Sequence, residues 1–244
     1  MKVEYSKLKN KENSAFTKEK NKNILFLHGY LSSGKSFFKQ LDFFSREFNV
    51  FAPDLKGFGD NVDMPYPYSL SDYINEVEEY KYKHGISCPH VIAHSFGGRI
   101  VIKSASQNTN AFDKIVLTGS AGLKPKFSFK KQIKKSTFNL LKKFVNKEKL
   151  KGFYSKDYLS LSPTMQQSFI KVVNEHLDDK LCKIDNSTLI INGAKDKETP
   201  LYMAKKLNKN IKNSKLVILK DAGHFAFLDC PYKFNLEVKE FLLS

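Results

Sequence analysis

The chain has 244 residues, 41 % of them hydrophobic and 13 % aromatic, with a net charge of +16 and three cysteines. That length fits one large domain or at most two small ones, no apolar run is long enough to span a bilayer, and the odd set Cys88, Cys182 and Cys230, with no C-x-x-C pair, argues against a disulfide framework or zinc knuckle and predicts a cytoplasmic location. The charge invites a nucleic-acid reading, but only Arg46 and Arg99 of the 41 basic residues are arginine, and base readout relies on the bidentate guanidinium, so no nucleic-acid partner is expected.

Residues 1–22 are polar and lysine-rich and lack the apolar stretch of a signal peptide. V-E-Y-S-K-L and S-A-F-T-K-E, either side of K-N-K-E-N, predict an N-terminal hairpin. Short apolar, β-branched runs then alternate with helical patterns. Strands are predicted at 24–27, 50–52, 90–93, 114–118, 188–191 and 216–219, and helices at 35–47, 71–84, 96–107, 201–209 and 232–243. Thr199 reads as an N-cap with Pro200 at the first helical position, and Asp229 as a cap for the last helix. Near-continuous apolar strands suit a parallel sheet covered on both faces, so the fold class is α/β: a mostly parallel central sheet flanked by helices.

One segment breaks the alternation. Residues 124–156 hold twelve lysines against one acid, Glu148, with Ile133, Leu140, Leu141, Phe144 and Val145 near helical spacing. The expected organisation is a core of residues 1–120 and 185–244 with a helical, lysine-rich cap inserted at 121–184. Such a cap would suit an acidic carrier protein or an anionic lipid surface as partner, or present a plain solvated face. Nothing in the sequence sets an oligomeric state.

The motif that carries most chemistry is H-V-I-A-H-S-F-G-G-R-I. A strand runs into Ala93-His94-Ser95-Phe96-Gly97, followed by a helix. Small residues two before and two after a serine permit the sharp turn that raises its hydroxyl at the carboxyl end of a sheet. Asp196 follows the strand at 188–191 and His224 the strand at 216–219, so Ser95, Asp196 and His224 run in the order nucleophile, acid, base. Glu198 and Asp221 are rival acids. His94 adjoins Ser95 but should point away from it.

Residues 23–38 carry two conflicting signals. Gly29 to Ser36 spells the phosphate-cradling G-x-x-x-x-G-K-S, with Asp54 as a metal-holding partner. His28-Gly29-Tyr30 instead offers a turn whose Tyr30 N–H, with the N–H of Phe96, forms an oxyanion hole. A nucleotide site would leave Ser95, Asp196 and His224 as coincidence, so the oxyanion reading is preferred.

These motifs, F-L-H-G-Y, A-P-D-L-K-G-F-G-D, V-I-A-H-S-F-G-G-R, I-N-G-A-K-D-K-E-T-P and D-A-G-H-F-A-F-L-D, resemble the α/β-hydrolase fold superfamily in its esterase-like, capped branch, from about residue 20 to 244. The resemblance implies cleavage of an ester, thioester or similar bond of a small molecule by an acyl-enzyme on Ser95, with neither cofactor nor metal. Asp60 and Asn61 stand where many members write a serine, so that loop is read as structural. Tyr30, Phe96, Phe225, Phe127, Phe129 and Tyr154 are candidates for an apolar pocket, though such residues more often serve packing. Arg99 matches an arginine that holds a substrate carboxylate in menaquinone-pathway relatives, against the plainer reading of a surface or salt-bridged helix arginine. Carrier-protein esterases and non-catalytic ligand receptors of the same fold are the alternatives.

Overall fold

A computed structural model describes residues 22–126 and 156–244. The predicted N-terminal hairpin, the motifs at Phe127, Phe129 and Tyr154, and most of the lysine cluster lie outside the described residues.

Six strands form one parallel sheet: β1 (Asn23–Leu27), β2 (Asn49–Phe51), β3 (His90–His94), β4 (Ile115–Thr118), β5 (Thr188–Gly193) and β6 (Ser214–Leu219), in the order β2-β1-β3-β4-β5-β6. The described helices are α1 (Phe38–Phe44), α2 (Leu70–Lys83), α3 (Phe96–Gln107), α4 (Lys156–Leu159), α5 (Pro163–Asn174), α6 (Leu201–Asn210), α7 (Ala226–Asp229) and α8 (Pro231–Leu243).

The period-2 alternation of a strand sorts the core into two layers. Leu25, Leu27, Val91, Ala93, Ile115, Leu117 and Ile190 face α2, α3 and α6 through Leu70, Tyr73, Val77, Ile100 and Leu207. Ile24, Phe26, Ile92, Val116, Leu189 and Ile191 face α1 and α8 through Leu41, Phe44, Phe234 and Val238. Both faces are covered, which is why β1, β3 and β5 read as unbroken apolar runs.

The six strands predicted from residue 24 onward and the five helices are present, α3 at its predicted bounds and the others with ends shifted by a few residues. The helix expected at 35–47 begins as a 3-10 turn, Gly34–Phe37, and becomes α-helical only at Phe38. Both cap expectations are corrected. The N-cap of α6 is Pro200, because the Thr199 hydroxyl is turned to Asp196. The N-cap of α8 is Cys230, because the Asp229 carboxylate accepts from the Gly223 N–H at 2.7 Å. Between β4 and β5 the described residues hold α4, α5 and a 3-10 turn, Asp178–Lys183, and no strand.

Candidate active site

The sheet order reverses between β1 and β3: the chain leaves β1 for the edge strand β2, then returns to β1's other side. The carboxyl ends of strands at such a switch point are where open α/β sheets bind ligands. The register pairs Leu27 with Ala93, so the turn after β1 and the turn after β3 emerge side by side.

Ser95 sits on the second turn with φ +49°, a left-handed conformation that a non-glycine residue adopts at a cost. Its N–H donates to Thr118 O at 3.1 Å, and its carbonyl accepts from the Gly98 and Ala121 N–H groups, each at 3.1 Å. The turn also needs close backbone approach. A Cβ on Gly97 would fall 2.3 Å from the Leu27 carbonyl oxygen, and one on Gly98 would fall 2.1 Å from Ser120 Oγ. Small residues are therefore obligatory on both sides of the elbow helix's first turn.

His28 pins the first turn. Leu55 N–H donates to its Nε2 at 3.0 Å, so Nδ1 carries the proton and donates to Gly29 O at 2.8 Å. Burial holds this ring's pKa below the ordinary value, which keeps that neutral tautomer in place. The Tyr30 and Phe96 N–H groups donate to no acceptor among the described residues. The Tyr30 phenol donates to Met165 O at 3.2 Å in α5, and its ring meets Phe58, Phe96 and Phe169 edge-on.

Asp196 and His224 meet. Asp196 Oδ2 accepts from His224 Nδ1 at 2.9 Å and from the Thr199 hydroxyl at 2.7 Å, while Oδ1 accepts from the Glu198 and Thr199 N–H groups, both at 2.9 Å. The residue is 5 % exposed. Burial alone would raise its pKa, but the hydrogen bonds from His224 and Thr199 hold it below the ordinary carboxylate value. Of the rival acids, Glu198 is exposed, and Asp221 pairs with Lys195 at the surface.

Ser95 and His224 share one corner. Ser95 is bound to Thr118, and a Cβ on the next residue, Gly119, would lie 3.1 Å from His224 Nδ1. Among the described residues no hydrogen bond joins the Ser95 hydroxyl to the His224 ring, and His224 Nε2 makes none. His94 does point away from Ser95, into the α1–α8 layer, where its ring centre lies 4.6 Å from that of His224. Phe225 lies at the rim, 42 % exposed, against His94 and His224.

Two expectations change. Arg99, read as a surface or salt-bridged helix arginine or as a holder of a substrate carboxylate, is 8 % exposed and donates to the Val172 and Glu175 carbonyls at 2.9 Å each, at the C-terminal end of α5. Burial draws its pKa down to about 10. Asp54, weighed as a metal holder for a phosphate loop, accepts from the Gly34 N–H at 2.7 Å and the Asp60 N–H at 2.8 Å. A carboxylate thus occupies the donor that a phosphate would need, and Lys35 pairs with Asp60. Sequence reasoning missed the tasks of His28 and Thr199. The D-x-x-T spacing and a histidine between a strand and a glycine turn were the available signals. Among the described residues, no cluster of three or more His, Cys, Asp or Glu side chains has an arrangement that could hold a metal.

Residues 24–235 match the family model described as the alpha/beta hydrolase family. The chain belongs to the alpha/beta hydrolase family. It is 27 % identical to the AB hydrolase superfamily protein YisY of Bacillus subtilis, over 89 % of this chain and 90 % of that one. It is 23 % identical to a 2-hydroxymuconate semialdehyde hydrolase of Pseudomonas putida, over 79 % of this chain and 76 % of that one. The solved esterase EaEST from Exiguobacterium antarcticum shares its fold with a TM-score of 0.74 at 21 % identity, covering 91 % of this chain and 92 % of that chain. No described helix of this hydrolase-family chain is long and apolar enough to cross a membrane.

Proposed function

We propose that this family member is a serine hydrolase that cleaves a carboxylic ester or thioester of a small molecule through an acyl-enzyme. The observation that carries the reading is the buried Asp196 carboxylate, 2.9 Å from His224 Nδ1. It fixes the tautomer with Nε2 unprotonated and stabilises the imidazolium that forms when Nε2 takes a proton. Its other lone pairs are filled by Thr199 and the Glu198 amide, so its orientation is fixed.

In this mechanism His224 Nε2 removes the Ser95 hydroxyl proton as Oγ attacks the carbonyl carbon. The oxyanion accepts hydrogen bonds from the Tyr30 and Phe96 N–H groups. His224 then protonates the leaving alcohol or thiol, and water, deprotonated by the same ring, releases the acid. Hydrogen bonds between base and nucleophile are often long in ligand-free enzymes and tighten with substrate.

Residues 121–184 are assigned as a cap over this rim. The mounting of α5 on Tyr30 and Arg99 supports that reading. The lysines of residues 124–156 would suit an acidic carrier or anionic lipid bearing the ester.

A fluorophosphonate label and a chain-length panel of p-nitrophenyl esters and acyl thioesters test the proposal. Labelling and turnover should both vanish in Ser95→Ala. A wild-type protein that neither labels nor hydrolyses any member of the panel would overturn it.

A further inference from the structure

We infer that His94 is a positioning residue whose Nε2–H holds the His224 carbonyl, and whose ring holds the His224 imidazole in register with Ser95. The inference rests on the acyl-enzyme reading above.

His94 is the last residue of β3, directly before the nucleophile, and its side chain is 1 % exposed. Nε2 lies 3.1 Å from His224 O. A carbonyl oxygen only accepts, so Nε2 carries the proton. Phe225 and Phe227 close the sides of the ring at 4.9 and 5.1 Å between centres. Gly29 covers the remaining side so closely that a Cβ there would lie 2.7 Å from Nδ1. One side chain therefore touches the segments that carry the nucleophile, the base and the oxyanion turn.

Packing alone does not ask for a histidine here. Nδ1 is buried with no hydrogen-bond partner among the described residues, which is a cost that phenylalanine or leucine would avoid. The Nε2–H bond to His224 is the one feature of the ring that an apolar residue could not supply. The ring must also stay neutral beside a base that becomes charged during turnover. Burial, then the neighbouring His224, push its pKa down to about 3; Asp196 and His28 are the other titratable groups near it.

The test compares His94→Phe, which keeps the ring, with His94→Gln, which keeps an N–H donor. His94→Phe is expected to fold, to lower kcat about 10²-fold with KM within about twofold, and to slow fluorophosphonate labelling of Ser95 in proportion, while His94→Gln recovers at least about tenfold of the loss. Wild-type kcat in His94→Phe, or equal loss in both variants, would overturn the inference. Should His94→Phe fail to fold, nitrogen-15 NMR of the wild-type protein decides: a neutral ring with the proton on Nε2 supports it, and the Nδ1–H tautomer overturns it. A wild-type protein that is inert to both label and esters would sink the acyl-enzyme reading instead, and the NMR tautomer would still decide whether the His94–His224 bond exists.

Discussion

Asp196 accepts four hydrogen bonds with one carboxylate, one of them from His224 Nδ1. Asp196→Asn keeps the shape but can present an amide N–H toward His224, favouring the wrong tautomer. We expect kcat to fall about 10⁴-fold with the fold intact, measured on a p-nitrophenyl ester. Thr199→Val removes one bond to the same oxygen and should cost about ten- to a hundredfold, through orientation alone. The lowered pKa of Asp196 also makes a prediction about stability. The unfolded chain binds this proton at the ordinary value of 3.8, the folded one only at lower pH. The contribution is therefore present above about pH 4 and is lost as pH falls through the folded pKa. The stability difference between wild type and Asp196→Asn should shrink below pH 4 in thermal melts, and a pH-independent difference would contradict this. Ser95, Asp196 and His224 could be named as candidates because the elbow spacing is local and each of the other two follows a predicted strand. Arg99 was not, because the carbonyls it binds lie more than seventy positions away.

Helix α5 is mounted on the core through buried Met165 and Val172 and through a set of side chain to backbone bonds. Tyr30 reaches Met165 O, Arg99 reaches Val172 and Glu175 O, Lys171 reaches Pro67 O, and Ser168 Oγ accepts from the Tyr68 N–H. Met165 docks on Gly57, where a Cβ would lie 2.3 Å from its sulfur. Arg99→Met keeps the apolar stem and loses both carbonyl bonds, which as charge-assisted bonds contribute about 1.5–3 kcal/mol each. Amide exchange across residues 163–174 should accelerate while that of β1, β3 and β5 stays slow. Unchanged exchange in α5 would show that Arg99 does not hold it. The turn before α1 gives a contrasting prediction: Lys35→Ala removes an exposed pair with Asp60, so esterase activity should stay near wild type and ATP with magnesium should give no thermal shift. The G-x-x-x-x-G-K-S pattern misleads because the pattern does not say where the Gly34 N–H points; the Asp54 carboxylate twenty residues later takes it.

Across the whole molecule, three histidines are buried and hold depressed pKa values: His28, His90 and His94. Desolvation is the largest cause in each. Below the unfolded value of 6.5 the unfolded chain binds protons that these folded rings refuse, so the three histidines draw stability down as pH drops from about 6.5, against a smaller opposing contribution from Glu76, whose carboxyl pKa burial pushes up. The thermal midpoint should decline between pH 7 and pH 5, and a flat midpoint over that interval would count against the burial of these rings. The same sheet that buries His94 also aligns the site, since parallel register beside the switch point brings the turns after β1 and β3 together.

By itself the sequence determined the α/β class, the position of every described strand, and the identity of the nucleophile, acid and base candidates. These are written in short-range patterns: period-2 apolar runs, small residues around Ser95, and strand ends followed by Asp196 or His224. Only the tertiary structure decided which carboxylate His224 meets, that Asp54 seals the phosphate-like turn, that Arg99 clamps α5, and that His94 lies against His224. Those are contacts between segments brought together by strand pairing, and a one-dimensional pattern carries no information on which distant carbonyl or amide a buried polar group will find.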